Sequence, residues 1–406
     1  MNICMLTSSF PRYPGDSAGV FVSDLSCYLS QRGCIVSVLA PHDYGSKMSD
    51  IQGNLIVKRF RYFFPEKYQK LCYGSGIVKN LKTEPISLIQ VPIFILSQLV
   101  SAIKILKNKK IDIIHAHWSF PQGLIGLLCK YLHNIPYIVT IHGSDIYGLN
   151  YPILSNINRL VLRHAAACTV NSEETARVTN RLSGLKNIQI VPMGVDTELF
   201  NNKKRKLSPN SNCTRRKSIL FAGRLIDWKG VDFLLMAIPI ILNKFPKTTL
   251  RIVGNGPERL RLEQKASDLG IENNVLFLGQ IPHNELVDYY SMADVFVLPS
   301  NKKEAGETEG LGVVLLEAMA CNIPVVGSNV GGIPSIVKHE KTGLLAKPGD
   351  PEDLSKKICI LLENEDLRDH VIENARQMVL EKFTWETIAD KFISIYETTI
   401  QRKLKK

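Results

Sequence analysis

Short apolar runs alternate with stretches of helical periodicity along most of the chain. In the first half, Asn2–Ser8, Ile35–Ala40, Leu55–Phe60, Asp112–His115, Tyr137–Ile141, Cys168–Val170 and Ile188–Val191 read as strands. Between them, Gly19–Gln31, Ile86–Leu106 and Gln122–Leu132 read as helices. Such alternation predicts a parallel sheet covered by helices on both faces. The pattern stops at Asn201–Lys217, NNKKRKLSPNSNCTRRK, which has no apolar periodicity and carries Pro209; it reads as a linker or exposed loop. Alternation then restarts, with strands expected at Ser218–Ala222, Leu250–Val253, Val275–Leu278, Val295–Leu298 and Pro324–Gly327. Helices are expected at Val231–Asn243, Glu258–Leu269, Glu285–Met292 and Gly312–Met319, and from Pro351 the tail is mostly helical. The expected organisation is therefore an α/β chain of two domains, residues 1–198 and 218–383, joined by a basic linker at 199–217. Ligands in such sheets sit at the carboxyl ends of the strands, and two such domains would face each other across a cleft.

The 406 residues are too many for one ordinary domain and suit two, each with a sizeable core. Nine cysteines are scattered from Cys4 to Cys359 without a CxxC pair or a zinc-like Cys/His spacing. They read as reduced core thiols in a reducing compartment, and the expected location is cytoplasmic. Met1–Ser8 is apolar but short, has no basic region before it, and is followed by Pro11 and Pro14, so it reads as a strand and not a signal peptide. Ile86–Leu106 comes nearest to a membrane span, but Gln90, Pro92, Gln98 and Lys104 make a partly buried helix the better reading.

Charge changes the picture. The net charge is +12, and residues 47–110 alone hold twelve Lys and Arg against three Asp and Glu. A local basic excess implies an anionic partner. No helix-turn-helix, RRM, KH or zinc-finger pattern supports nucleic acid, which leaves an anionic membrane surface met peripherally.

Three segments of the second half carry chemistry. Arg224, in the strand-end sequence AGRL, and Lys229, before Gly230, place two cations where a loop opens into a helix, a setting suited to a pyrophosphate. In VGNGPERL, Gly254 and Gly256 bracket a tight turn that would allow a planar base close to the backbone. In TEGLGVVLLEAMACNIPVVGSNVGGIPSIV, Thr308 to Val337, Glu309 precedes Gly310, Leu311 and Gly312 at a helix entrance, and Glu317 lies inside an apolar run. Two turns of one helix would put both carboxylates on nearly one face, for sugar and ribose hydroxyls. The N–H groups of Leu311 and Gly312 would meet phosphate.

This last string resembles the donor-site signature of family 4 retaining glycosyltransferases, which have the GT-B fold. Arg224, Lys229, Gly254–Pro257 and Gly331-Gly332 fall where that family places their equivalents, and the resemblance covers nearly the whole chain. Departures are Leu311, where Phe is commonest, and the run Lys303–Thr308 before Glu309. The resemblance implies a GT-B fold of two facing Rossmann-like domains with a deep cleft between them. It also implies that a last helix, about 384–406, packs back on the first domain, and that His142 of the HGSD segment faces the donor sugar. The Gly19 loop would approach the donor phosphate or the acceptor. His142 and Glu309 are thus the expected catalytic residues, with donor contacts from Gly19, Arg224, Lys229, Gly254, Gly256, Leu311, Gly312 and Glu317. The implied activity is transfer of a sugar from a UDP-sugar or GDP-mannose to a glycan or lipid-linked acceptor, in cell-surface polysaccharide assembly, with retention of configuration. The chain has no D-x-D motif, so neither a metal nor a cofactor is expected. A nucleotide-sugar 2-epimerase shares the two-domain fold but lacks the EGLG…LEAMA signature, and a non-catalytic sugar-nucleotide-binding subunit is a further alternative.

Overall fold

A computed structural model of the chain describes every residue except Ser75, 148–151, Lys186, 202–215, 304–306 and 405–406. The expected linker therefore lies mostly outside the described residues. The chain divides into two compact units, Met1–Met193 with Trp385–Lys406, and Gly194–Thr384.

The first unit is built on eight strands: β1 (Asn2–Leu6), β2 (Ile35–Pro41), β3 (Ser49–Gln52), β4 (Leu55–Phe60), β5 (Ile113–His117), β6 (Tyr137–Ile141), β7 (Ala167–Val170) and β8 (Ile188–Ile190). Their order is β3-β4-β2-β1-β5-β6-β7-β8, parallel throughout except for the β3–β4 hairpin. Sheet order reverses direction between β1 and β5, the switch point of a doubly wound sheet. The period of two explains the packing. Ile3 and Met5 of β1 join a core formed with the helices Val20–Gln31 and Trp385–Leu404, while Cys4 and Leu6 join the core on the other face. Apolar strands buried on both sides are what a parallel sheet requires. Each buried Leu, Ile or Phe contributes about 1.5–3 kcal/mol.

The second unit carries β9 (Ser218–Ala222), β10 (Thr249–Val253), β11 (Val275–Gly279), β12 (Val295–Leu298), β13 (Val325–Ser328) and β14 (Leu344–Ala346). Their order, β11-β10-β9-β12-β13-β14, is the Rossmann order, all parallel, with its switch point between β9 and β12. Asp350 opens the helix Pro351–Glu363, its side chain accepting from the Asp353 N–H, with proline in the first turn where a missing donor costs nothing. Asn364 caps Glu365–Lys382 by accepting from the Leu367 N–H.

Candidate active site

In the second unit the loop after β9 reaches the segment after β12. A 3-10 turn, Asp227–Lys229, ends at Gly230, whose φ of 69° suits glycine. A Cβ on Gly230 would fall 2.0 Å from the Pro299 carbonyl oxygen, so only glycine lets the two loops touch. The Asn301 N–H donates to the Trp228 carbonyl at 2.7 Å across the same contact. This juxtaposition brings Lys229 Nζ to 2.6 Å from Glu309 Oε2, which also accepts from Ser300 Oγ at 3.2 Å. Lys229 Nζ lies 4.9 Å from the centre of the Trp228 ring. The ion pair is mostly buried, with side-chain exposures of 13% and 10%. Breaking such a pair by removing one partner costs several kcal/mol, because the survivor keeps its desolvation penalty. Lys229 is therefore held by a carboxylate, a partner its sequence context did not reveal. Arg224 is exposed on the same loop.

The glycines of VGNGPERL are required by the packing of two loops. The Cβ of a residue at 254 would lie 1.8 Å from Gly223 O, and at 256 it would lie 2.2 Å from Leu225 O. The space is filled by the neighbouring loop, which is laced to it by Leu225 N–H donating to Asn255 O and Glu258 N–H donating to Leu225 O. These glycines hold the loops after β9 and β10 together.

Glu309 and Glu317 do not share a helix face. Gly312, with φ 88°, caps the helix Val313–Ala320, so Glu309 lies in the loop before it and Leu311 is buried there. The Gly332 N–H donates to the Glu309 carbonyl at 2.8 Å, pinning that loop to the segment after β13. Glu317 is buried within the helix. Its Oε2 accepts from the Tyr290 hydroxyl at 2.8 Å and its Oε1 lies 3.0 Å from His283 Nε2. Burial and the nearby carboxylate push the Tyr290 hydroxyl well above its ordinary value, so it stays protonated and donates.

In the first unit Gly19, φ 64°, caps Val20–Gln31, and a Cβ there would meet Ser9 O at 2.2 Å. This helix start carries Phe21, whose ring centre is 4.8 Å from that of His142. His142 follows β6, and its Nε2 lies 3.1 Å from Nδ1 of His117, at the end of β5. His115 and His117 stack, and His115 hydrogen-bonds to the Tyr396 hydroxyl and to Thr140. Burial lowers all three histidines, His117 to about 3 and the other two well below the ordinary value, so the stack is neutral near pH 7. Trp118, 4.9 Å from His142, has a φ of 75°, a conformation that costs a non-glycine residue about 1–3 kcal/mol. Asp145 stabilises the bend around it by accepting from the N–H groups of Ser119, His142 and Gly143. Burial raises the Asp145 carboxyl, and those donors act against the rise.

The structure thus groups Lys229, Ser300, Glu309 and Gly312 at one switch point, and Gly19, Phe21, His117, Trp118 and His142 around strand ends of the other sheet. Glu317 belongs to a separate set with His283 and Tyr290. Sequence reading missed Ser300, although its place just beyond the apolar run of β12 is a usable signal. Nothing local marks His283. Among the described residues, no group of three or more His, Cys, Asp or Glu is placed to hold a metal ion.

Two Rossmann-like units with such strand-end clusters define a class. A solved structure of sucrose-phosphate synthase from Thermosynechococcus elongatus is similar over 99% of both chains, with a TM-score of 0.79 and 24% identity, and the fold is that of GT-B glycosyltransferases. Residues 18–199 match the family described as Glycosyltransferase Family 4, and residues 203–378 match Glycosyl transferases group 1. N-acetyl-alpha-D-glucosaminyl L-malate synthase of Bacillus anthracis is 30% identical over 76% of this chain and 81% of its own length. A GDP-mannose-dependent alpha-(1-6)-phosphatidylinositol monomannoside mannosyltransferase of Mycolicibacterium smegmatis is 30% identical over 66% of this chain and 71% of its own. The chain belongs to glycosyltransferase family 4, and it is a glycosyltransferase.

Proposed function

We propose that the chain moves a sugar from a nucleoside-diphosphate sugar, a UDP-sugar or GDP-mannose, to a hydroxyl of a glycan or lipid-linked acceptor in surface-polysaccharide assembly. The observation that carries the donor reading is the Lys229–Glu309–Ser300 cluster at the carboxyl ends of β9 and β12, where the strand order reverses. Doubly wound sheets bind their ligands at that point. Arg224 and Lys229 meet the diphosphate and stabilise the charge that develops on it as the anomeric C–O bond breaks. The acceptor oxygen bonds to the anomeric carbon on the same face, and its proton passes to the departing phosphate oxygen, so configuration is retained. Glu309 orients Lys229 and accepts from sugar hydroxyls, and His142 donates to the sugar. The mannosyltransferase relative, whose name gives GDP-mannose and a phosphatidylinositol monomannoside, supports a nucleotide-sugar and lipid pairing. No metal takes part.

The test is a thermal-shift screen against nucleotides and nucleotide sugars, followed by transfer assays with the binder. A true donor at a hundredfold its dissociation constant adds about 2.7 kcal/mol. Donor binding without transfer to any glycan or lipid acceptor would make the chain a non-catalytic binding subunit.

A further inference from the structure

The helix Ile86–Asn108 turns an apolar stripe to solvent. Its inward stripe mixes the core residues Phe94, Ala102, Ile105 and Leu106 with three polar side chains. Ser87, Gln90 and Gln98 are completely buried beside Phe94 and Ala102. Gln90 accepts from the Lys70 N–H and donates to the Tyr68 carbonyl, and Gln98 donates to the Thr7 carbonyl. Its outward stripe is apolar. Leu88, Ile89 and Leu96 are 61%, 65% and 61% exposed, with Ile93 and Val100 exposed beside them. At 3.6 residues per turn the two stripes lie on nearly opposite sides. A surface helix in water turns a polar face outward. A continuous apolar ridge on a folded unit marks a surface that meets something other than water.

We propose that this ridge is the face by which the first unit lies on an anionic lipid leaflet. The charge around it selects that occupant. Lys104 and Lys107 continue the outward stripe where its apolar residues end, and both are exposed. The Gln90 bonds tie the ridge to the segment holding exposed Lys67, Tyr68 and Lys70. Apolar side chains flanked by lysines and an interfacial aromatic are the composition of a helix that rests in the headgroup region. By length and composition the helix could cross a bilayer. Its inward glutamines, however, are bonded to the segments holding Tyr68, Thr7 and Gln122, so it lies in the interface and does not span.

The full-length protein is sedimented with vesicles of phosphatidylcholine alone or with one third phosphatidylglycerol, at low and high salt. Sedimentation is expected with the anionic vesicles, weakened by salt. Leu88→Glu with Leu96→Glu should weaken it about tenfold or more, since each leucine loses its burial in lipid. Lys104→Glu with Lys107→Glu, which leaves the ridge intact, should abolish the preference for anionic lipid. Circular dichroism and light scattering establish that each variant is folded and report its oligomeric state. No binding to anionic vesicles, or binding unchanged in both variants, overturns the proposal. So does a solution dimer that the leucine variant converts to monomer without any vesicle binding, which would make a second copy the occupant. The readout involves no sugar transfer, so its failure leaves the donor reading standing, and the converse holds too.

Discussion

Glu317→Ala offers a measurement that separates a packing role from a donor contact. From sequence alone, removing this carboxylate is expected to weaken donor binding with the fold intact. In the structure, Glu317 is the 2.8 Å acceptor for the hydroxyl of Tyr290, a side chain with no exposure at all. Alanine leaves that hydroxyl only the Val314 carbonyl, at 3.3 Å. Losing a hydrogen bond to a charged group costs about 1.5–3 kcal/mol, and the partly collapsed void adds about 1 kcal/mol. His283 has a third of its side chain exposed and regains water, so it adds little. The expected loss is about 3 kcal/mol, or roughly 6–12 °C in the melting of a unit this size. Glu317→Gln keeps an acceptor for Tyr290 and should lose about 1 kcal/mol. Scanning calorimetry with and without nucleotide measures the stability, and titration calorimetry measures donor affinity. A Glu317→Ala protein that melts with the wild type would show that the Tyr290 contact stabilises nothing. Unchanged donor affinity in a folded variant would remove Glu317 from the donor site.

Gly254→Ala places a Cβ 1.8 Å from a backbone oxygen at a φ of 131°, so thermal unfolding should show a loss of about 3 kcal/mol or more; wild-type melting would contradict the packing account. Histidines 115, 117 and 142 have folded pKa values below the unfolded value near 6.5. The unfolded chain therefore takes up protons that the folded unit refuses. Stability is complete above pH 6.5 and falls as pH drops, by about 1.4 kcal/mol per pH unit for each histidine; unfolding midpoints that do not move between pH 7 and 5 would refute this. Arg224→Ala combined with Lys229→Ala should abolish turnover, each lost contact costing about 1.5–3 kcal/mol. Activity should survive EDTA, and loss restored by magnesium would overturn the metal-free mechanism.

Strands such as β6, β9 and β12 were legible because they are buried on both faces, so each appears as a short unbroken run. β3 was not, because SDIQ forms an exposed hairpin edge with no alternation to read, and β14 is only three residues long. For Ile86–Asn108 the periodicity predicted a helix but not its orientation, since pattern reading assumes that the apolar side faces inward. Within the site, Gly310 and Gly312 marked the helix entrance and put Glu309 in the loop before it, but helix geometry does not carry through that loop, so a shared face for Glu309 and Glu317 could not be read from their spacing. Glu317's partners lie 27 and 34 residues away, a separation only the folded chain closes. The glycines after β10 were recognised as special, but which backbone would fill the space they leave is a property of two loops.

The helix Trp385–Leu404 has a consequence for how the molecule is made. Its Trp385, Ile388, Phe392 and Tyr396 are part of the first unit's core, and the Tyr396 hydroxyl meets His115. The second unit is one uninterrupted segment, whereas the first is assembled from both ends of the chain. On a ribosome, then, the domain that emerges first is completed last. It must wait with one side of its sheet open while nearly two hundred residues of the second unit are translated and folded. A chain released before residue 385 would carry a finished second unit beside an unfinished first one with its apolar face exposed, the form that chaperones retain and proteases remove.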